Sequence, residues 1–344
     1  MTDGQPEEIS QLGEFGLIRH LTRDLKIKNK STEKGIGDDA AVLDYKGKKV
    51  VVTTDMLAEG VHFNLVYTPL KHLGYKAAAV NFSDIYAMNA RPMQLLVSMA
   101  ISGKFSVSMV DEIYKGIRLA CDQYGVDLVG GDTTSSFTGL TLSLTAIGEA
   151  KENEIVYRGG AGNNDLLCVS GDLGGAYIGL QLLERERRLF EKERNIQPLL
   201  DGYDYVLERQ LKPEARKDII NLLAELDVKP TAMIDISDGL SSELKHICHD
   251  SGKGCKIYAD KVPIHQETRR IASEFGIEPL IAALNGGEDY ELLFTVPVRL
   301  FDKIGNRPEF TIIGHITDIS EGTGMVTPQG QLINLEAQGW NALS

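Results

Sequence analysis

Short β-branched runs alternate with stretches of helical spacing twice along this chain, and that alternation restricts it to an α/β architecture. In the first block Lys49 to Thr53, Met93 to Ile101, Val126 to Val129 and Leu140 to Ile147 read as strands, with helices predicted over Leu70 to Met88 and Val107 to Tyr124. In the second block the strands are Leu166 to Val169, Thr231 to Ile234, Gly254 to Tyr258, Glu291 to Val296 and Phe310 to Ile316. Helices are predicted there over Gly174 to Arg187, Pro213 to Leu226, Gly239 to Asp250 and His265 to Phe275. A polar stretch from Glu149 to Asn164, carrying Gly159, Gly160 and Gly162, separates the blocks, so domains are expected at 1–150 and 151–344. Asn81-Phe82-Ser83-Asp84 in the first block is echoed by Asp235-Ile236-Ser237-Asp238 in the second, an echo too short to establish a duplication.

Of the 344 residues, 36 are Lys or Arg and 49 Asp or Glu, a net charge of −13 that argues against nucleic acid or anionic lipid as a partner. The 42% hydrophobic and 25% charged composition excludes disordered, collagenous and coiled-coil classes. Cys121, Cys168, Cys248 and Cys255 form no CxxC spacing and no disulfide framework, which fits a reducing compartment. The acidic segment Met1 to Ser10 has no secretory pattern, and apolar stretches such as Leu95 to Ile101 are too short to span a bilayer. A cytoplasmic protein is expected.

The carboxylates carry the chemistry through their placement. They sit beside small residues at strand ends and turns: Gly37-Asp38-Asp39, Thr53-Thr54-Asp55, Ser83-Asp84, Gly130-Gly131-Asp132-Thr133-Thr134, Asp235-Ile236-Ser237-Asp238-Gly239 and Gly286-Gly287-Glu288-Asp289. Taken singly, an Asp before Gly is usually a turn residue and a Ser-Asp usually a helix cap. Six such motifs in one chain point instead to magnesium, which takes hard oxygen ligands in an octahedron and keeps several waters. Two strands run directly into such motifs, and ligand crevices in α/β sheets lie outside the carboxyl ends of strands.

Other motifs are weaker. Gly35-Ile36-Gly37-Asp38-Asp39-Ala40 matches GxGxxA, but no strand is expected before it and a strand rather than a helix after it. There is no GxxxxGK[ST] and no HRD or DFG, which excludes a Walker loop and a protein kinase, and no HxxxH or HExxH for zinc. Ser170-Gly171-Asp172-Leu173-Gly174-Gly175 follows a strand and opens a helix, where backbone N–H groups could receive an anion, although tight packing explains those glycines as well. Carboxylate-held magnesium without a nucleophile and base suits phosphoryl transfer, where positioning and charge neutralisation supply most of the catalysis.

These motifs, with Gly13-Glu14-Phe15-Gly16, Thr54-Asp55 seven residues before His62, Ala79-Val80-Asn81-Phe82-Ser83-Asp84 and Gly286-Gly287-Glu288-Asp289-Tyr290-Glu291-Leu292, closely resemble the thiamine-monophosphate kinase family, in order from Gly13 to Trp340. The resemblance implies the two-domain fold of the aminoimidazole ribonucleotide synthetase superfamily, each domain a sheet with helices packed on it, and a homodimer formed through the N-terminal domain. It implies transfer of the ATP γ-phosphate to thiamine monophosphate, giving thiamine diphosphate and ADP. Several Mg2+ ions are implied, with K+ as a further candidate cation. Asp39, Asp55, Asp84, Asp132, Asp235 and Asp238 match magnesium-binding positions, helped by Thr53 and Thr54, and Asp55, Asp84, Asp132 and Asp238 are the expected catalytic carboxylates. Tyr114, Gly131, Asp132, Arg158 and Ser237 match nucleotide-side positions, and His62, Glu288 and Trp340 positions that contact thiamine monophosphate. Two departures are visible: Asn89 stands where the family often has Gly, and Glu243 where a second Asp is common, so Glu243 is left out of the metal set.

The expected mechanism is direct in-line attack. A phosphate monoester has its second pKa near about 6, so the substrate phosphate is mostly dianionic at neutral pH and needs no general base. The alternatives are another ATP-dependent phosphotransfer enzyme of the superfamily and a non-catalytic nucleotide or metal sensor. The net charge does not exclude ATP, because bound cations would supply the positive charge.

Overall fold

The computed structural model describes residues 31–34, 37–45, 47–193 and 197–336. The motif Gly13 to Gly16, Gly35, Ile36 and the expected substrate contact Trp340 lie outside the described residues.

Two sheets organise the chain. The first has the order β1-β2-β3-β6-β4-β5, built from β1 (Thr32–Lys34), β2 (Ala41–Asp44), β3 (Lys48–Ala58), β4 (Arg91–Ile101), β5 (Asp127–Ser135) and β6 (Thr141–Lys151). Helix α1 (Leu70–Ala87) crosses from β3 to β4 and α2 (Val107–Tyr124) from β4 to β5. Helix α2 begins at Ser106, whose side chain accepts from the Met109 N–H, and ends at Gly125 in the left-handed region. The two helices cross with backbones in close approach: a Cβ on Gly74 would lie 2.0 Å from the Ile113 carbonyl oxygen, and one on Gly116 1.9 Å from that of Lys71.

The second sheet has the order β13-β12-β9-β11-β7-β10-β8, from β7 (Leu166–Ser170), β8 (Ala232–Asp235), β9 (Gly254–Tyr258), β10 (Leu292–Val296), β11 (Phe310–Thr317), β12 (Thr323–Val326) and β13 (Leu332–Asn334). Its helices are α3 (Gly175–Lys192), α4 (Asp204–Leu211), α5 (Lys217–Glu225), α6 (Leu240–Ser251), α7 (Gln266–Glu274), α8 (Pro279–Asn285) and the short α9 (Phe301–Ile304). Leu240, Leu244 and Ile247 of α6 close one core with Ile234 and Leu293, while Ile219 and Leu223 of α5 close another with Met233 and Phe294. Helix α1 touches β8 and α4 as well as its own sheet, so it is buried almost all round and carries Lys76, Asn81 and Ser83 into the boundary between the two sheets.

Two sequence expectations need correction. Strands β3 and β5 do not stop at their Asp motifs; Thr53-Thr54-Asp55 and Gly131 to Thr134 lie within them, because β6 pairs with β3 as far as Ala58 and β4 with β5 as far as Ser135. Strand propensity disfavours Asp, and here the cross-strand pairing overrides it. A short strand, β1, does precede the GxGxxA segment; it pairs with β2 in antiparallel fashion, so the segment joins two strands and is no dinucleotide turn. Asn89 takes φ 53°, the left-handed conformation that its replacement of Gly requires. No helix among the described residues is long and apolar enough to cross a membrane.

Candidate active site

The site lies where α1, β3 and the end of β8 converge. Strand β2 pairs with β3 only up to Val52, so beyond it one edge of β3 is open. Asn81 of α1 occupies part of that edge, its Oδ1 accepting from the Asp55 N–H at 3.2 Å and its Nδ2 donating to the Ala77 carbonyl. Alternation along the strand turns Thr53 toward α1, where its hydroxyl donates to Asp84 Oδ2 at 2.6 Å. The Thr54 hydroxyl faces away and donates to the Leu144 carbonyl at 2.9 Å, which leaves the main chain of Thr54 as its contribution to the cavity.

Asp39, Asp84 and Asp235 each offer an oxygen within 4.8 Å of the others. Arg158 grips Asp39 from the segment between the sheets, with Nη2 2.5 Å from Oδ1, while the other Asp39 oxygen is buried without a hydrogen-bond partner. Ser83 donates to Asp235 Oδ2 at 2.5 Å. The electrostatics register the crowding. Burial pushes Asp39 up to about 6 against the pull of Arg158, and Asp235 up to about 6 against the Ser83 hydrogen bond. Burial, then the charges of Asp55, Asp235 and Asp39, hold Asp84 well above the usual carboxylate range. Buried carboxylates left short of partners, in an all-oxygen donor set, are what a hard divalent cation requires.

A cavity of about 760 Å³ opens beside this cluster. It brings together Asp39, Thr53, Thr54, Asp55, His62, Asp84, Arg158, Asp235, Ser237, Asp238 and Glu288 among the expected residues. Its lining also includes the apolar and aromatic side chains of Phe63, Tyr177, Leu180 and Ile281. His62 accepts the Ala58 N–H on Nδ1 at 3.0 Å, so the neutral ring carries its proton on Nε2. Glu243, left out of the metal set, is buried behind the cluster, where one of its oxygens accepts the Asp238 N–H at 3.0 Å.

Three expected residues are not brought to this cavity within one chain. Gly131 and Asp132 are exposed on β5, the outer edge of the first sheet; with β6 and β4 intervening, three strand spacings, or about 14 Å, separate β5 from β3. Tyr114 is half-buried on α2, which contributes nothing to the cavity lining. The Gly171 to Gly175 turn is no open anion site, because Asp289 fills it with its own carboxylate, accepting from the Gly174 and Ala176 N–H groups at 2.7 and 3.3 Å. Sequence reasoning missed Lys76, Tyr67 and Tyr177 in the lining. Lys76 and Tyr67 carried no motif signal, and Tyr177 sits two residues beyond a glycine turn that drew attention only to its backbone.

Residues 37–150 match the family described as AIR synthase related protein, N-terminal domain, and residues 164–327 its C-terminal domain. The thiamine-monophosphate kinase of Aquifex aeolicus (strain VF5) is 35% identical over 333 residues, covering 96% of this chain and 98% of that one. The chain belongs to the thiamine-monophosphate kinase family. The Bacillus subtilis (strain 168) thiamine-monophosphate kinase is 33% identical over 336 residues, covering 96% of this chain and 99% of its own. The solved structure of AaThiL complexed with AMPPCP and TMP superposes with a TM-score of 0.82 at 33% identity, over 98% of this chain and 99% of that one. Family and fold therefore agree with the resemblance read from the motifs.

Proposed function

We propose that this protein is an ATP-dependent, cytoplasmic thiamine-monophosphate kinase, and that the cavity between its two sheets is where the reaction occurs. The observation that carries the reading is the convergence of Asp39, Asp84 and Asp235 from both halves of the chain on a cavity that also holds His62 and Glu288. Asp39, Asp55, Asp84, Asp235 and Asp238, with Thr53 and the main chain of Thr54, would hold Mg2+; K+ is a further candidate. When bound, such cations would supply positive charge to offset that of the phosphates.

The residues of the chain do the rest by positioning. Ser83 and Thr53 fix the carboxylate rotamers of Asp235 and Asp84. Arg158 and Ser237, which line the cavity, would serve its nucleotide side, and Glu288 and His62 its acceptor side, with Trp340 expected to stack on the thiamine rings. A phosphate oxygen of thiamine monophosphate attacks the γ-phosphorus in line; the new O–P bond forms as the β–γ bridging bond breaks, and ADP departs with the electron pair. No side chain needs to accept a proton, because the attacking phosphate is already a dianion.

Residues 1–150 and 151–344 would divide this labour, and a homodimer through the N-terminal domain would complete it. Asp132 and Gly131 lie on an open edge strand, near exposed apolar side chains of the same domain such as Val129 and Phe137. A second copy docked there would deliver Asp132, Gly131 and Tyr114 to its neighbour's cavity.

Purified protein with ATP and Mg2+, offered thiamine monophosphate, thiamine or an aminoimidazole ribonucleotide precursor, tests the reading by release of ADP and thiamine diphosphate. Turnover of thiamine but not of its monophosphate would overturn the substrate, and a phosphorylated residue formed from labelled ATP alone would overturn the direct transfer.

A further inference from the structure

Lys76 is a cation buried in the wall of the cavity. Its side chain is 5% exposed, and at that burial an ammonium needs partners. It has two: Glu288 Oε1 at 2.9 Å and the Gln210 carbonyl at 3.1 Å. The Gln210 amide in turn donates to Glu288 Oε2 at 2.8 Å. Both carboxylate oxygens of Glu288 are thus held, one from α1 under the first sheet and one from α4 beside the second. The backbone confirms that this placement is enforced. Glu288 has φ 58° and Tyr290 φ 51°, conformations that side chains other than glycine rarely adopt and that persist where the surroundings over-determine them. The Glu288 N–H donates to the Ser237 carbonyl at 2.6 Å and the Tyr290 N–H to the Ile236 carbonyl at 2.9 Å, so the loop is laced to the strand end that carries Asp235 and Asp238. Glu288 and Lys76 nonetheless both line the cavity, with Glu288 27% exposed.

We propose that Lys76 is a positioning residue for substrate selection: together with Gln210 it holds Glu288 in the one orientation that accepts a hydrogen bond from the exocyclic amine of the substrate pyrimidine. Each carboxylate oxygen accepts one hydrogen bond within the protein and retains a lone pair for the ligand. A 4-oxo pyrimidine would set a carbonyl oxygen against that lone pair and be rejected, as sites built to receive a donor reject analogues that lack it. The proposal rests on the reading of Glu288 as a contact of thiamine monophosphate.

The test compares Lys76→Met, Lys76→Arg, Gln210→Met and Glu288→Gln in full-length protein, reading KM for thiamine monophosphate, KM for ATP, kcat, and selectivity against the 4-oxo analogue, oxythiamine monophosphate. Lys76→Met is expected to raise KM for thiamine monophosphate about tenfold and lower selectivity about tenfold, with KM for ATP within about twofold of the parent. Lys76→Arg restores most of both, and Lys76→Met adds nothing on a Glu288→Gln background. A purely structural Lys76 would lower thermal stability without moving selectivity, and that result overturns the proposal. If Lys76→Met does not fold, Gln210→Met, which keeps the ammonium, carries the test, with an expected threefold or so rise in the same KM. Glu288→Gln raising KM while the Lys76 and Gln210 variants leave it unchanged defeats the proposal alone; Glu288→Gln without effect defeats the reading of Glu288 beneath it.

Discussion

The hydroxyl of Ser83, on α1 of the first sheet, donates to Asp235 at the end of β8 of the second, and thereby ties the echoed Ser-Asp motifs of the two halves together. Ser83→Ala removes a hydrogen bond to a buried carboxylate. A loss of about 2 kcal/mol of stability is expected, together with about tenfold lower kcat as Asp235 loses its fixed rotamer. Denaturant unfolding and steady-state kinetics check both, and an unchanged midpoint would show the contact to be idle.

Asp84→Asn should separate function from stability. The variant keeps an oxygen to accept the Thr53 hydroxyl but relieves repulsion from Asp55, Asp235 and Asp39. Activity is expected to fall about 100-fold or more, while the melting temperature in EDTA rises. A fall in both would mean that the cluster is not frustrated in the cation-free protein.

The same frustration gives a pH dependence of known sign. Asp39 and Asp235 protonate near about 6 in the folded chain instead of at the ordinary 3.8, because burial disfavours their charged forms. The stability this confers is complete below the ordinary value and is lost as pH rises through 6. In EDTA the melting temperature should fall by about 5 °C between mildly acidic and mildly alkaline buffer. Millimolar Mg2+ should reverse the trend, since a cation favours the ionised cluster. Parallel profiles with and without Mg2+ would contradict the assignment.

If Asp132 serves the cavity of a neighbouring copy in a homodimer, as proposed, subunit mixing carries its signature. Asp132→Asn and Asp84→Asn homodimers should each be nearly inactive. Co-refolded in equal amounts they form heterodimers in half of the molecules, each with one undamaged site, so activity should recover to about a quarter of the parent. No recovery would place Asp132 in the site of its own chain or outside it.

Much of the fold was legible because local pattern and tertiary demand agree. Val107–Tyr124 has unbroken helical spacing between a Ser cap and a Gly stop, and Gly254–Tyr258 is a bounded strand run. Legibility failed where long-range pairing decides. β3 runs on through Thr54 and Asp55 because β6 extends alongside it, and β12 is held by β9, distant in sequence. In the site, the carboxylates stood out by composition at turns, whereas Lys76 did not, since a lysine in a helix ordinarily faces water. Its burial follows from α1 being covered by α4 and by the loop that carries Glu288. Asp289 looked like one more acidic turn residue, and only the docked helix α3 shows that it caps backbone amides.

The distribution of Asp39, Asp84 and Asp235 over the two halves of the chain has a consequence for how this enzyme can fail. The first half alone would keep Asp39 and Asp84 without Asp235, and the second Asp235 without the other two, so a truncation or a proteolytic cut followed by separation leaves neither piece with the full set. A small molecule wedged between α1 and β8 would reach the same end without touching a reacting atom. The seam itself is a target.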